Sequence, residues 1–109
     1  MARPKPTLSV IRSPIAIDEI QGIWLWNAEH YSPAHADAYV RYLEQSIDHL
    51  DRRYATGKTV SVRPDLQYVV IRRKSKGHGH VAVYRVRDRV VELLHVFHTA
   101  EDWEAKLGK

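Results

Sequence analysis

GHVAVYRVRDRVVELLHVFH, residues 79–98, carries the period that decides the fold. His80 to Arg87 and Val90 to His98 are β-branched and aromatic segments, interrupted at Arg87-Asp88-Arg89 by turn chemistry. Two strands joined by so short a turn are antiparallel neighbours. A third segment of the same character, Leu66 to Arg73, precedes them across Lys74-Ser75-Lys76-Gly77-His78-Gly79. The glycines of that turn read as suppliers of positive φ. Three sequential strands with short connections predict an antiparallel meander.

Upstream the period changes from two to about 3.6. Ser13-Pro14 and Ser32-Pro33 each read as an N-cap followed by a proline at the first helical position, where its missing N–H is no loss. The first helix is expected from Pro14 to His30, with Ile20, Ile23, Trp24 and Asn27 on one face and Ile17 and Ala28 beside it. Asp18 and Glu19 lie in its early turns, where the helix dipole favours negative charge. In the second helix Ala36, Val40, Leu43, Ile47, Leu50 and Tyr54 form one apolar stripe, flanked by Tyr39 and Tyr42, and Gly57 is placed as a left-handed terminator. Helices joined so tightly form an antiparallel hairpin. A short strand at Leu8-Ser9-Val10-Ile11 precedes them, and a last helix between Thr99 and Leu107 docks through Trp103 and Leu107. The order β-α-α-β-β-β-α predicts an α+β fold: an N-terminal strand, a helical hairpin packed on a small antiparallel sheet, and a short C-terminal helix.

The 109 residues suffice for one domain, here 8–109 behind a basic, proline-rich tail at 1–7. No apolar run approaches a membrane span, and no signal peptide is visible, so a cytoplasmic protein is expected. The absence of cysteine excludes disulfides, thiolate metal sites and cysteine nucleophiles. The formal charge of +4 is unevenly spread: residues 1–57 carry six bases and seven acids, whereas residues 58–109 carry eleven bases and six acids. Between Arg63 and Arg89 eight bases face two acids, a field that favours an anionic partner, nucleic acid or acidic polypeptide.

Three stretches resemble the RelE/ParE superfamily of toxins from bacterial type II toxin–antitoxin systems. Leu8-Ser9-Val10-Ile11-Arg12-Ser13-Pro14-Ile15-Ala16, followed by Asp18-Glu19-Ile20 and Ile23-Trp24, is similar to the family's first strand and helix start. Ala36-Asp37-Ala38-Tyr39-Val40-Arg41-Tyr42-Leu43-Glu44, with Ile47 and Leu50, is similar to its second helix. The most specific stretch, Gly79 to Val86 and Val91 to Trp103, resembles the ParE-like ending. His95 and Glu101 stand where that ending usually or often has arginine, and Thr99 stands where some ribonucleolytic relatives have tyrosine. The resemblance implies a toxin neutralised by a cognate antitoxin, and, for ParE-like members, inhibition of DNA gyrase by binding rather than by an active site. The alternatives are a RelE-like ribosome-dependent mRNA endoribonuclease and a toxin-fold protein without toxicity.

Arg72, Arg73, Lys74 and Lys76 could clamp phosphate or an acidic antitoxin tail, or be a solvated hairpin tip. Arg85, Arg87 and Arg89 share a strand face; Arg85 inward beside Arg73 would stabilise charge on a phosphodiester, while the plainer role is protection of a sheet edge. Of seven histidines, four form the pairs His78-x-His80 and His95-x-x-His98. For a ribonuclease the set would be Arg73, Lys76, His80, Arg85 and His98, with imidazole moving the proton. Trp26, off the buried stripe, joins Arg72, Arg73, Lys74, Lys76 and Arg85 as a candidate partner contact. The histidine pairs could also bind a divalent metal, but that needs residues of different strands to converge with no cysteine and no obvious carboxylate partner, so no metal is expected. Gly77-His78-Gly79-His80 is no phosphate loop, lacking its spacing and a following helix, and no cofactor is expected.

Overall fold

The computed structural model describes residues 6–74 and 78–108. Its elements are β1 (Ser9–Arg12), α1 (Pro14–His30), α2 (Pro33–Asp48), α3 (Leu50–Arg53), β2 (Lys58–Val60), β3 (Arg63–Ile71), β4 (His80–Arg87), β5 (Val90–His98) and α4 (Trp103–Leu107), with a 3-10 turn at Tyr54–Thr56. The sheet order is β1-β5-β4-β3-β2. The meander β3-β4-β5 is antiparallel as expected. The sheet as a whole is mixed, because β1 joins its far edge parallel to β5, Ser9 opposite Val90 and Arg12 opposite Leu93. The strand β2, which the sequence pattern did not reveal, closes the other edge antiparallel to β3.

Both serine caps form. Ser13 Oγ accepts from the Ala16 N–H at 3.0 Å, and Ser32 Oγ from the His35 N–H at 3.0 Å. Ser13 also ties the helix to the sheet: its N–H donates to the Leu93 carbonyl at 2.9 Å and its hydroxyl to that of Leu94 at 2.9 Å. Glu19 departs from the expected dipole role. It lies beyond the first turn of α1, where the dipole no longer acts, and its carboxylate accepts the Val96 N–H at 2.9 Å. Its other oxygen meets His95 Nδ1 at 3.3 Å. Together Ser13 and Glu19 cover the edge of β5 just where β1 leaves it.

A β-bulge shapes the core. Val83 faces His95 but Tyr84 faces Leu93, so Leu94 is extra in β5. Leu93 and Val96, three positions apart, therefore both face the helices, packing with Ala82 and Ile71 against Ala16, Ile20, Leu43 and Ile47. The opposite sheet face buries Val81, Val83, Leu66 and Phe97 under Leu107 and Trp103 of α4. Of the apolar stripe, Ala36, Leu43, Ile47 and Leu50 are buried and Val40 and Tyr54 half-buried; each buried Leu or Ile contributes about 1.5–3 kcal/mol. The element itself is broken: α2 stops at Asp48 and the chain re-enters a turn of helix as α3 without any glycine or proline to signal it. Ile17, expected beside the buried face of α1, is 43% exposed.

Gly57 also departs from expectation. Its backbone is extended, at φ −66° and ψ 149°, so it is no left-handed cap. The residue is small for another reason: a Cβ there would lie 2.0 Å from the Tyr84 hydroxyl. Tyr84, fully buried in the middle strand β4, passes over Gly57 to donate to the Tyr54 carbonyl at 2.6 Å. Gly79 is similar, since a Cβ would lie 2.3 Å from the Ile71 carbonyl; close approach, not positive φ, explains it. Positive φ occurs instead at Asp88 (53°) and Arg89 (63°), the two-residue turn between β4 and β5, matching the primed turns that suit twisted hairpins. Gly57→Ala is expected to destabilise the fold by about 1–3 kcal/mol through overpacking against Tyr84. Gly22→Ala, in open space on α1, is expected to stabilise it by about 0.5–1 kcal/mol. Urea melts of the two variants check this, and equal shifts would remove the close-approach account.

Candidate partner-binding surface and histidine cluster

The register of β4 and β5 sets His80 directly opposite His98 at the end of the sheet. Their rings stand perpendicular with centroids 5.3 Å apart, and the His78 ring lies 5.2 Å from that of His98. His80 points toward the helices and is buried, and its Nδ1 is hydrogen-bonded to the Tyr39 hydroxyl of α2 at 2.5 Å. Burial, with His98 nearby as the lesser cause, pulls the His80 pKa down to about 4. Burial likewise pushes Tyr39 up to about 12. Their hydrogen bond joins α2 to the end of the sheet. His98 is similarly engaged: its Nδ1 accepts the Ala100 N–H at 3.0 Å, while its own N–H donates to the Glu101 carboxylate at 2.8 Å. Glu101 in turn pairs with Lys106 of α4. Among the described residues no group of three His, Asp or Glu is arranged to hold a metal ion.

Of the residues that a ribonuclease would need, His80 and His98 lie side by side and Arg73 follows β3 at the same end of the sheet, but Arg85 is remote from them. Arg85 lies five positions along β4 from His80, about 17 Å away at strand rise, and on the opposite face of the sheet. It does not turn inward beside Arg73. Its register partner Glu92 holds it at 3.1 Å, and the same carboxylate reaches Arg87 at 3.4 Å. Edge protection is not its role either, because β4 is the middle strand. Lys76 lies outside the described residues.

Arg72, Arg73 and Lys74 follow β3 directly and are exposed. The strand stops at Ile71, two residues earlier than its composition suggests, where Tyr42 of α2 donates to the Arg72 carbonyl at 2.8 Å. Arg52 and Arg53 of α3 extend the positive surface on the helical side; they did not stand out in the sequence because residues 1–57 carry a net charge of −1. Trp26 is 51% exposed and stacks on His30, one helical turn later, at 4.0 Å and 14°. Tyr31 meets Trp26 edge-on at 5.9 Å and lies 4.5 Å from His35. The four-residue spacing of Trp26 and His30 was legible on a helix; the turn that adds Tyr31 and His35 was not.

The architecture is thus a helical hairpin packed on one face of a five-stranded mixed sheet, with basic residues after β3. The chain belongs to the ParE toxin family of type II toxin–antitoxin systems (parDE), whose sequence profile it matches over residues 10–103. Among solved structures it is similar to one titled as the chromosomal ParDE TA system from P. aeruginosa, with a TM-score of 0.72 and 16% identity, covering 84% of this chain and 95% of that one. At that identity the likeness shows the fold. No curated protein matches the chain. Family membership implies an antitoxin partner. Among the described residues no helix is long and apolar enough to cross a membrane.

The buried His80 gives a pH signature. Above about pH 6.5 the imidazole is neutral in both states; below it the unfolded chain takes up a proton that the folded chain refuses until about pH 4. Stability should therefore fall as pH drops from about 6.5 toward 4, and His80→Gln should flatten that fall. Urea melts at pH 7 and pH 5 measure the difference; parallel declines in both proteins would show that His80 does not titrate as described.

Proposed function

We propose that this chain is a growth-inhibiting toxin that acts by binding DNA gyrase in the bacterial cytoplasm and is silenced by a cognate antitoxin. Membership of the ParE family supports the reading, since ParE-like members act on gyrase without an active site of their own. The observation that supports binding over catalysis is the placement of Arg85 away from the two histidines. Arg85 is held by Glu92 on the sheet face opposite His80, while the His80 Nδ1 is occupied by Tyr39. The exposed basic residues Arg73 and Lys74, and the aromatic group around Trp26, offer contact surfaces for gyrase or antitoxin.

Purified protein should inhibit gyrase supercoiling at micromolar concentration or below, and its induced expression should arrest growth. His98→Ala should arrest growth as strongly as the parent, because a binding mechanism spends no proton there. Intact supercoiling in the presence of excess protein, together with codon-register cuts in translated mRNA that His98→Ala abolishes, would replace this reading with the ribonuclease one.

A further inference from the structure

The break after Asp48 gathers cations on the helical side of the molecule. His49 keeps a right-handed backbone, at φ −66° and ψ −12°, and its carbonyl accepts the N–H groups of Arg52 and Arg53 at 3.2 and 3.0 Å. The helical register therefore carries across the break, and residues 49, 52 and 53, three and four apart, share one face. Their side chains bound a hollow of about 230 Å³ that no carboxylate of a described residue lines. None of the three side chains has a hydrogen bond or ion pair to another described residue. Arginines elsewhere are matched: Arg12 has Glu44 and Asp48, Arg63 has Asp65, and Arg85 and Arg87 share Glu92.

At His49 and Arg53 the hollow adjoins a cleft of about 310 Å³ between the helices and β3. Leu50, Val69 and Ile71 give the cleft apolar walls, and Tyr42, Ser46 and Thr56 add hydroxyl groups. Each of those hydroxyls already donates to a backbone carbonyl, at 2.8, 3.0 and 2.7 Å respectively. What they keep for a ligand is oxygen lone pairs, which accept.

We propose that these adjoining cavities bind a nucleoside phosphate, with the phosphates on Arg52, Arg53 and His49 and the sugar and base in the cleft. Guanidinium forks match phosphate oxygens two at a time, and the hydroxyl acceptors suit sugar hydroxyls and base N–H groups. The space is that of a small-molecule pocket of about 300–1,000 Å³, enough for one nucleotide and not for a strand of nucleic acid. None of Arg73, His80, Arg85 and His98 lines either cavity, so the site is distinct from the set a ribonuclease would use. The inference is independent of the gyrase reading, because it concerns the chain alone.

Calorimetric titration of the full chain at low salt, with ADP and with thymidine diphosphate, tests this. At least one should bind saturably with Kd below about 1 mM and slow amide hydrogen exchange at residues 49–53 and 69–71. Adenosine, which lacks the phosphates, and pyrophosphate, which lacks the base, should each bind about tenfold more weakly or worse. Arg52→Glu with Arg53→Glu should weaken nucleotide binding by about tenfold or more without moving the urea melt, while the paired lysine substitutions retain most of it. Saturation by neither nucleotide would overturn the assignment, and so would protection confined to other segments. Equal affinity for pyrophosphate would reduce the site to a bare anion hollow. Affinity that climbs with the length of an oligodeoxythymidine would make it a nucleic-acid surface instead.

Discussion

Nine residues of β5 must have their backbone groups satisfied along both edges, and the arrangement of the whole molecule follows from how this is done. On one side β4 pairs along its length. On the other, β1 serves only Val90 to Leu93, after which the chain turns into α1. From there Ser13 takes the carbonyls of Leu93 and Leu94, and Glu19 takes the N–H of Val96. An unsatisfied buried backbone group costs about 1–3 kcal/mol, so these contacts fix where the helical hairpin begins and how it lies. The carboxylate of Glu19 is the unusual member, a charged side chain standing in for a strand.

Once α1 is fixed, the remaining contacts are secured from the far side. Trp24 donates to Asp37 at 2.8 Å and holds α2 beside α1. Arg12 of β1 pairs with Glu44 at 2.6 Å and Asp48 at 2.7 Å at the end of α2. Tyr39, Tyr42 and Tyr84 each send a hydroxyl across the interface between helices and sheet, to His80, to the Arg72 carbonyl and to the Tyr54 carbonyl. The last is possible only because Gly57 has no side chain. These three tyrosines anchor the hairpin over β4 and β3 while leaving the margin of β3 open. That open margin, with its arginines, is a consequence of β2 being three residues long.

Much of the local structure was legible. The strands from His80 to Arg87 and from Val90 to His98, both serine caps and the full extent of α1 lie where the residues indicated. The break after Asp48 was not, because the apolar stripe continues through it and the backbone stays right-handed at His49. β2 was not, because three residues with one buried side chain carry too little pattern. The candidate site was read less well. The basic run after β3 and Trp26 were visible as composition, but Arg52 and Arg53 were masked by neighbouring acids in sequence. The histidine pairs suggested chemistry; in the fold His80 is buried against Tyr39, and His98 is hydrogen-bonded to Ala100 and Glu101.

The sequence by itself determined what depends on neighbours a few positions away: helix starts, strand period, the place of the turn between His80–Arg87 and Val90–His98, and which side of α2 is apolar. It also determined that the positive charge belongs to the sheet half of the chain. Only the tertiary structure decided that β1 runs parallel to β5, that Glu19 reaches a backbone N–H 77 positions away, and that Gly57 makes room for Tyr84. The physical reason is the same in each case. Local conformational preferences are written in spacing, whereas the partner of a buried polar group is chosen by whatever the folded chain brings within 3 Å of it.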